Sequence, residues 1–174
     1  MTNDATVEQH GDLYVVRFER WLNHPIERVW AALTDPQQLP KWLAAAEIDP
    51  QPNGRYLLHF QNVEHTHVGR VIRYEPPRLF EHTFGEDANG VVRWELTPHG
   101  ETCQLNLSHT VYSTDELANF MSGWHTHLEL LDSLFKGAPE EWDWDRWIMH
   151  KERYAKRVRD ELGLESKSPR SCGT

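Results

Sequence analysis

Hydrophobic positions along the chain change period three times, and each change marks a change of element. In "DLYVVRFERWLN" (12–23), Val15, Val16, Phe18 and Trp21 stand among charged residues, which predicts a first strand. From Pro25 the spacing becomes helical: Ile26, Val29, Trp30 and Leu33 share one face, Pro25 suits the first turn, and Asn23 or His24 offers a cap. Asp35-Pro36 breaks that helix, and "PQQLPKWLA" makes a second short helix or turn ending in Trp42-Leu43.

Beyond this the period falls to two. A short strand at 47–49 and a turn at 50–54 precede five runs: "RYLLHFQ", "HTHVGRVIRYE", "RLFEHTF", "VVRWELT" and "ETCQLNLSHTVY". Turns of Gly, Pro, Asn and Asp separate them, as in an antiparallel meander. Alternation places Tyr56, Leu58 and Phe60 on one face of their strand. Phe80, His82 and Phe84 share a face in the same way, as do Val92, Trp94 and Leu96, and Cys103, Leu105, Leu107 and His109. Glu19, Glu81 and Glu95 fall on the opposite faces, towards solvent.

"STDE" (113–116) reads as a capping box, Ser113 capping and Glu116 reaching back, for a long helix over 114–136. Leu117, Phe120, Met121, Trp124, Leu128, Leu131 and Phe135 form its apolar stripe, and Gly137 and Pro139 end it. A last helix over about 143–162 carries Trp144, Trp147, Ile148, Tyr154, Val158 and Leu162, with Gly163 as its stop. The predicted fold is α+β: a curved antiparallel sheet of six or seven strands wrapped around a long helix, two short helices after the first strand, and an extra terminal helix. The expected divisions are a flexible N-terminus (1–11), the main domain (12–139), a Trp-rich helical extension (140–163) and a disordered tail (164–174).

Composition narrows the function. A net charge of −9 leaves no electrostatic footprint for nucleic acid or an anionic membrane. No apolar run approaches a membrane span, and the first twelve residues do not read as a secretory leader. Two cysteines make no disulfide framework, so a reducing cytoplasm is the expected location.

Two His-Thr-His pairs invite a metal reading, and their settings separate them. On a strand His65 and His67 point the same way and are weak metal candidates wanting further ligands. On a helix His125 and His127 lie about 200° apart and cannot share an ion. His127 is expected near the rim of the apolar stripe and His125 in water. His82 and His109 share faces with large apolar residues, so both are expected in an interior cavity, as packed residues, ligand contacts or acid/base groups. Tyr112 is a candidate partner in catalysis. Gly123 beside Trp124 suggests a close approach of the helix to a strand or loop. The inward aromatics, Trp42, Tyr56, Phe60, Phe80, Phe84, Trp94 and Trp124, with Leu58, Leu128 and Leu131, would line a cavity suited to a flat or lipid-like ligand. Trp142 either packs back on the sheet rim or meets a second subunit, and the grouped aromatics around it allow a homodimer. No nucleophile elbow, phosphate loop or dinucleotide fingerprint occurs, and no cofactor is expected.

Four stretches, "PIERVWAALTDPQQLPKWL" (25–43), "GRVIRYEPPRLF" (69–80), "GETCQLNLSHT" (100–110) and "GWHTHLELLDSL" (123–134), resemble the helix-grip superfamily called SRPBCC, which includes START domains and the birch pollen allergen. Within it the chain is most similar to the branch named after the activator of heat-shock-protein-90 ATPase. The resemblance implies the helix-grip fold and a small-molecule cavity between sheet and long helix, with His82, His109 and His127 orienting polar groups. It leaves two alternatives: a cyclase/dehydratase- or hydrolase-like enzyme using a cavity histidine, and a protein-interaction or co-chaperone-like module built on the last helix. That helix is longer and richer in Trp than the branch implies.

Overall fold

The computed structural model describes residues 3–84 and 90–163. Eight strands form one antiparallel sheet: β1 (Thr6–His10), β2 (Leu13–Leu22), β3 (Ala45–Ile48), β4 (Arg55–Phe60), β5 (His65–Glu75), β6 (Leu79–Thr83), β7 (Val91–His99) and β8 (Thr102–Val111). Their order is β1-β2-β8-β7-β6-β5-β4-β3. The meander therefore runs β3 to β8 without a crossover, and β2 closes against β8. Helix α1 (Ile26–Thr34) and one 3₁₀ turn (Leu39–Lys41) carry the chain from β2 to the far edge at β3. Helix α2 (Leu117–Phe135) lies in the grip of the sheet, and α3 (Trp144–Leu162) packs on α2.

The sheet has eight strands where six or seven were expected, because residues 6–10 pair with β2 rather than staying loose. Thr6 stands opposite Arg17 and His10 opposite Leu13, and Gly11 takes the positive φ of 63° in the reversal between them. The backbone N–H of Ala5, just ahead of β1, donates to the hydroxyl of Tyr154 in α3 at 2.9 Å. The final helix thus secures the first strand. The tail expected to be disordered, 164–174, lies outside the described residues.

Period-two alternation places the inner face as expected. Tyr56, Leu58, Phe80, His82, Val92, Trp94, Leu105, Leu107 and His109 are all buried. In register, Val92 faces His82 on one side and His109 on the other, while Trp94 lies between Phe80 and Leu107. Trp21 of β2 points outward, 49% exposed, donating to Glu19 and lying against His99.

Helix ends also differ from the pattern. Ser113 accepts only from the N–H of Asp115, a local turn, and α2 begins at Leu117 with no side-chain cap. Neither Asn23 nor His24 caps α1, whose N-cap position is Pro25. By contrast Asp143 caps α3, accepting from the N–H groups of Asp145 and Arg146. The buried side of α3 is His150, Tyr154 and Val158, and the tryptophan side is not: Trp144 is 43% exposed, Ile148 46% and Met149 57%.

Candidate functional site

The space between sheet and α2 is filled in its depth. Trp42 meets Trp94 edge-on at 6.0 Å, Trp94 meets Trp124 at 5.4 Å, and Tyr56 lies 4.2 Å from His82. His82 is fully buried and both its ring nitrogens are engaged. Nδ1–H donates to the Thr83 carbonyl at 2.9 Å, and Nε2 accepts from the Trp94 indole N–H at 3.3 Å. Burial holds its pKa down at about 3, the Thr83 bond opposing and His109 assisting. A ring with no open nitrogen is packing, which removes the geometric basis for His82 as a base. His109 accepts the Trp124 indole N–H on Nδ1 at 3.0 Å. Tyr112 lies past the end of β8, 56% exposed, and cannot partner either histidine.

Open space begins nearer the rim. A cleft of about 610 Å³ is lined from the sheet by Phe60 of β4, His67 of β5 and Phe84 just past β6. Helix α2 contributes Phe120, Gly123, Trp124 and His127, and the extension contributes Trp142, Trp144 and Trp147. Each wall follows from local structure. His67 stacks on Phe84 at 4.3 Å and meets Phe60 edge-on at 5.1 Å. Burial, with His65 adding to it, holds the His67 pKa at about 4, so at neutral pH the ring is an uncharged aromatic surface. His65 packs edge-on against His67 at 4.6 Å. Among the described residues no third donor gathers with this pair.

His127 is buried, not at the rim in water's reach. Its Nδ1–H donates to the Trp42 carbonyl at 3.0 Å, and burial holds its pKa at about 4 despite that bond. Trp142 packs on its ring at 4.7 Å. Gly123 serves α3 rather than a strand or loop: a Cβ there would meet the Trp147 indole nitrogen at 4.0 Å. Leu128 and Leu131, expected in the pocket, instead line a separate cavity of about 700 Å³ beside β2.

His125 is the largest departure. It is 5% exposed because α3 covers the outer side of α2. Its Nε2 lies 3.1 Å from Glu129 and its ring stacks on His150 at 4.0 Å. Nε2 of His150 approaches the same Glu129 oxygen at 2.6 Å. These three residues bring ligand-type atoms within 4.8 Å of one another. The protonation pattern opposes a cation there. The Arg153 guanidinium donates to Nδ1 of His150 at 3.0 Å, so the ring proton sits on Nε2, facing the carboxylate. Arg146 approaches the other Glu129 oxygen at 3.2 Å. Burial raises the Glu129 pKa, and the bonds from His125 and His150 outweigh it, leaving it lowered. The trio is a satisfied hydrogen-bonded network between α2 and α3.

Comparison with known proteins fits this geometry. The family model described as activator of Hsp90 ATPase homolog 1-like protein matches residues 23–136. The chain belongs to that family. Among solved structures it is similar to the BPP1335 protein of Bordetella parapertussis, with 29% identity, TM-score 0.72, and 90% of this chain and 94% of that one covered. CalU16 of Micromonospora echinospora aligns at 21% identity and TM-score 0.71, covering 89% and 96%. The Aha1 dimer of Colwellia psychrerythraea aligns at 14% identity and TM-score 0.61, covering 70% and 95%. A comparison with curated proteins finds no match. The family span runs from just before α1 to the end of α2, so β1, β2 and α3 lie outside it, and with them Trp142, Trp144 and Trp147. No helix among the described residues is long and apolar enough to cross a membrane.

Sequence reasoning missed Phe120, His67 and the extension's tryptophans as parts of one site. Phe120 was visible on the α2 stripe, and His67 by its period of two with Gly69 and the buried Val71 on β5. Trp142 packs back towards the sheet rim, one of the two alternatives expected for it, and nothing local signalled that Trp144 and Trp147 border the same cleft.

Proposed function

We propose that this protein binds a small, largely apolar aromatic molecule in the cleft between the β4–β5 rim and helices α2 and α3. One observation carries the reading: Phe60, His67, Phe84, Phe120, Trp124 and Trp144 surround a single opening of about 610 Å³. That size lies within the roughly 300–1,000 Å³ of small-molecule sites, and such sites are mostly apolar with few polar groups. The uncharged state of His67 and His127 supports an aromatic rather than an anionic ligand. Enzymatic readings lose support with the closed nitrogens of His82 and the outward Tyr112. The buried free thiol of Cys103 suits a reducing cytoplasm as the place of action.

Native mass spectrometry of tag-free protein, set beside the denatured mass, tests this. A retained or added aromatic compound of a few hundred daltons, lost when Trp124 or Phe60 is replaced by alanine, is the expected result. A bare mass that no aromatic compound shifts would sink the proposal. The same spectrum reads a second proposal, self-association through the exposed Trp144, Ile148 and Met149 of α3.

A further inference from the structure

Among the described residues, two buried side-chain polar atoms have no hydrogen-bond partner: Nε1 of Trp142 and Oδ1 of Asn119. Both residues belong to the wall of the same cleft. Buried polar groups are nearly always bonded, and an unmade bond costs about 1–3 kcal/mol, so a pair of exceptions in one cleft calls for an explanation. The two atoms are of opposite kind. An indole N–H only donates. The Asn119 amide donates through Nδ2 to Glu116 at 3.0 Å, which orients it and leaves Oδ1 as an acceptor.

Trp142 also occupies a special position. It lies in the connection between α2 and α3, packed on His127 at 4.7 Å and edge-on to Trp144 at 5.4 Å. On its far side is a second cavity of about 520 Å³, walled by Trp42, Leu43, Gln61 and Leu130. His127, Trp142 and Trp144 border both spaces. The indole borders both spaces, and because Trp142 lies outside both helices its side chain can turn without breaking a helical hydrogen bond.

Resting on the cleft as the binding site, we infer that Trp142 is a ligand-recognising residue: its indole turns aside to admit a planar aromatic molecule against His127 and donates its N–H to an acceptor on that molecule, while Asn119 accepts from a donor at the molecule's other end. The surfaces on α2 set an approximate length. His127, the ring the molecule would lie against, is eight residues from Asn119, about 12 Å along the helix axis. A fused two-ring compound with a carbonyl at one end and a hydroxyl at the other spans that distance once the two hydrogen bonds are added.

Four matched probes test this by fluorescence or calorimetric titration: 6-acetyl-2-naphthol, 6-ethyl-2-naphthol, 2-acetylnaphthalene and 2-ethylnaphthalene. The wild-type protein is expected to prefer the first over the second and over the third by about tenfold each, the worth of one hydrogen bond. Trp142→Phe keeps an aromatic ring without the N–H and should erase only the preference for the acetyl group. Asn119→Ala should erase only the preference for the hydroxyl group. Equal binding of all four probes by the wild type, or an acetyl preference that survives Trp142→Phe, overturns the inference and leaves the cleft as a binding site. Failure of all four to bind the wild type overturns both.

Discussion

The hydroxyl of Tyr154 in α3 stands 2.6 Å from Nδ1 of His125 in α2 and also accepts the N–H of Ala5 at the entrance to β1. One phenol therefore joins three segments far apart in sequence, two of them outside the family span. Tyr154→Phe leaves a buried N–H at Ala5 and an unpaired ring nitrogen at His125. It is expected to cost about 1–3 kcal/mol in urea unfolding, with faster amide exchange confined first to residues 6–10. Unchanged exchange in β1 would show that α3 does not secure it.

Acid sensitivity follows from the buried histidines. Burial holds His82 at about 3 and His127 and His67 at about 4 in the folded chain, whereas the unfolded chain titrates near 6.5. The unfolded state binds protons that the folded state refuses. Stability is therefore full above pH 6.5 and is lost as pH falls from there through about 4, and on to about 3 for His82. A fully buried ring such as His127 accounts for on the order of 3 kcal/mol across its window. Urea midpoints at pH 7.5, 6.5 and 5.5 should decline already between the last two, above the carboxylate range. A flat profile there would contradict the histidine burial.

Gly123 offers a test that separates stability from binding. It lies inside α2 with ordinary space at its Cβ, 4.0 Å from Trp147. Gly123→Ala is expected to stabilise by roughly 0.5–1 kcal/mol, as an interior helical glycine replaced by alanine does. Gly123→Phe projects a ring into the cleft and should abolish any ligand mass in native spectra while leaving the fold. Retained ligand in that variant would place binding elsewhere.

The network at His125, Glu129 and His150 is expected to ignore zinc in the wild type, since Arg153 fixes the His150 proton towards Glu129. Thermal melts with equimolar zinc should be unchanged. Arg153→Ala frees Nδ1 of His150, and zinc should then raise the melting temperature. A wild-type rise that disappears in His150→Ala would show instead that the trio takes the ion.

The inner aromatics of the sheet were legible because alternation is a local property: Tyr56, Phe80, Trp94 and His109 are inside by period two alone. The same counting put His125 in water, since a single stripe on α2 implies one buried side. It failed because α3 supplies a second partner, whose inner face sets His150 beside Tyr154 and Val158 against the outer side of α2. Leu128 and Leu131 were rightly read as buried and wrongly assigned to the cleft, because burial does not say which cavity a side chain borders.

What the sequence determined by itself is the set of elements from β2 onwards, their order and the inward faces of the strands, which depend on spacing within a few residues. Only the tertiary structure decided where space remains and which polar atoms are left unpaired. Those depend on how Trp142 and His127, or Ala5 and Tyr154, meet across long stretches of chain, and no local period carries that information.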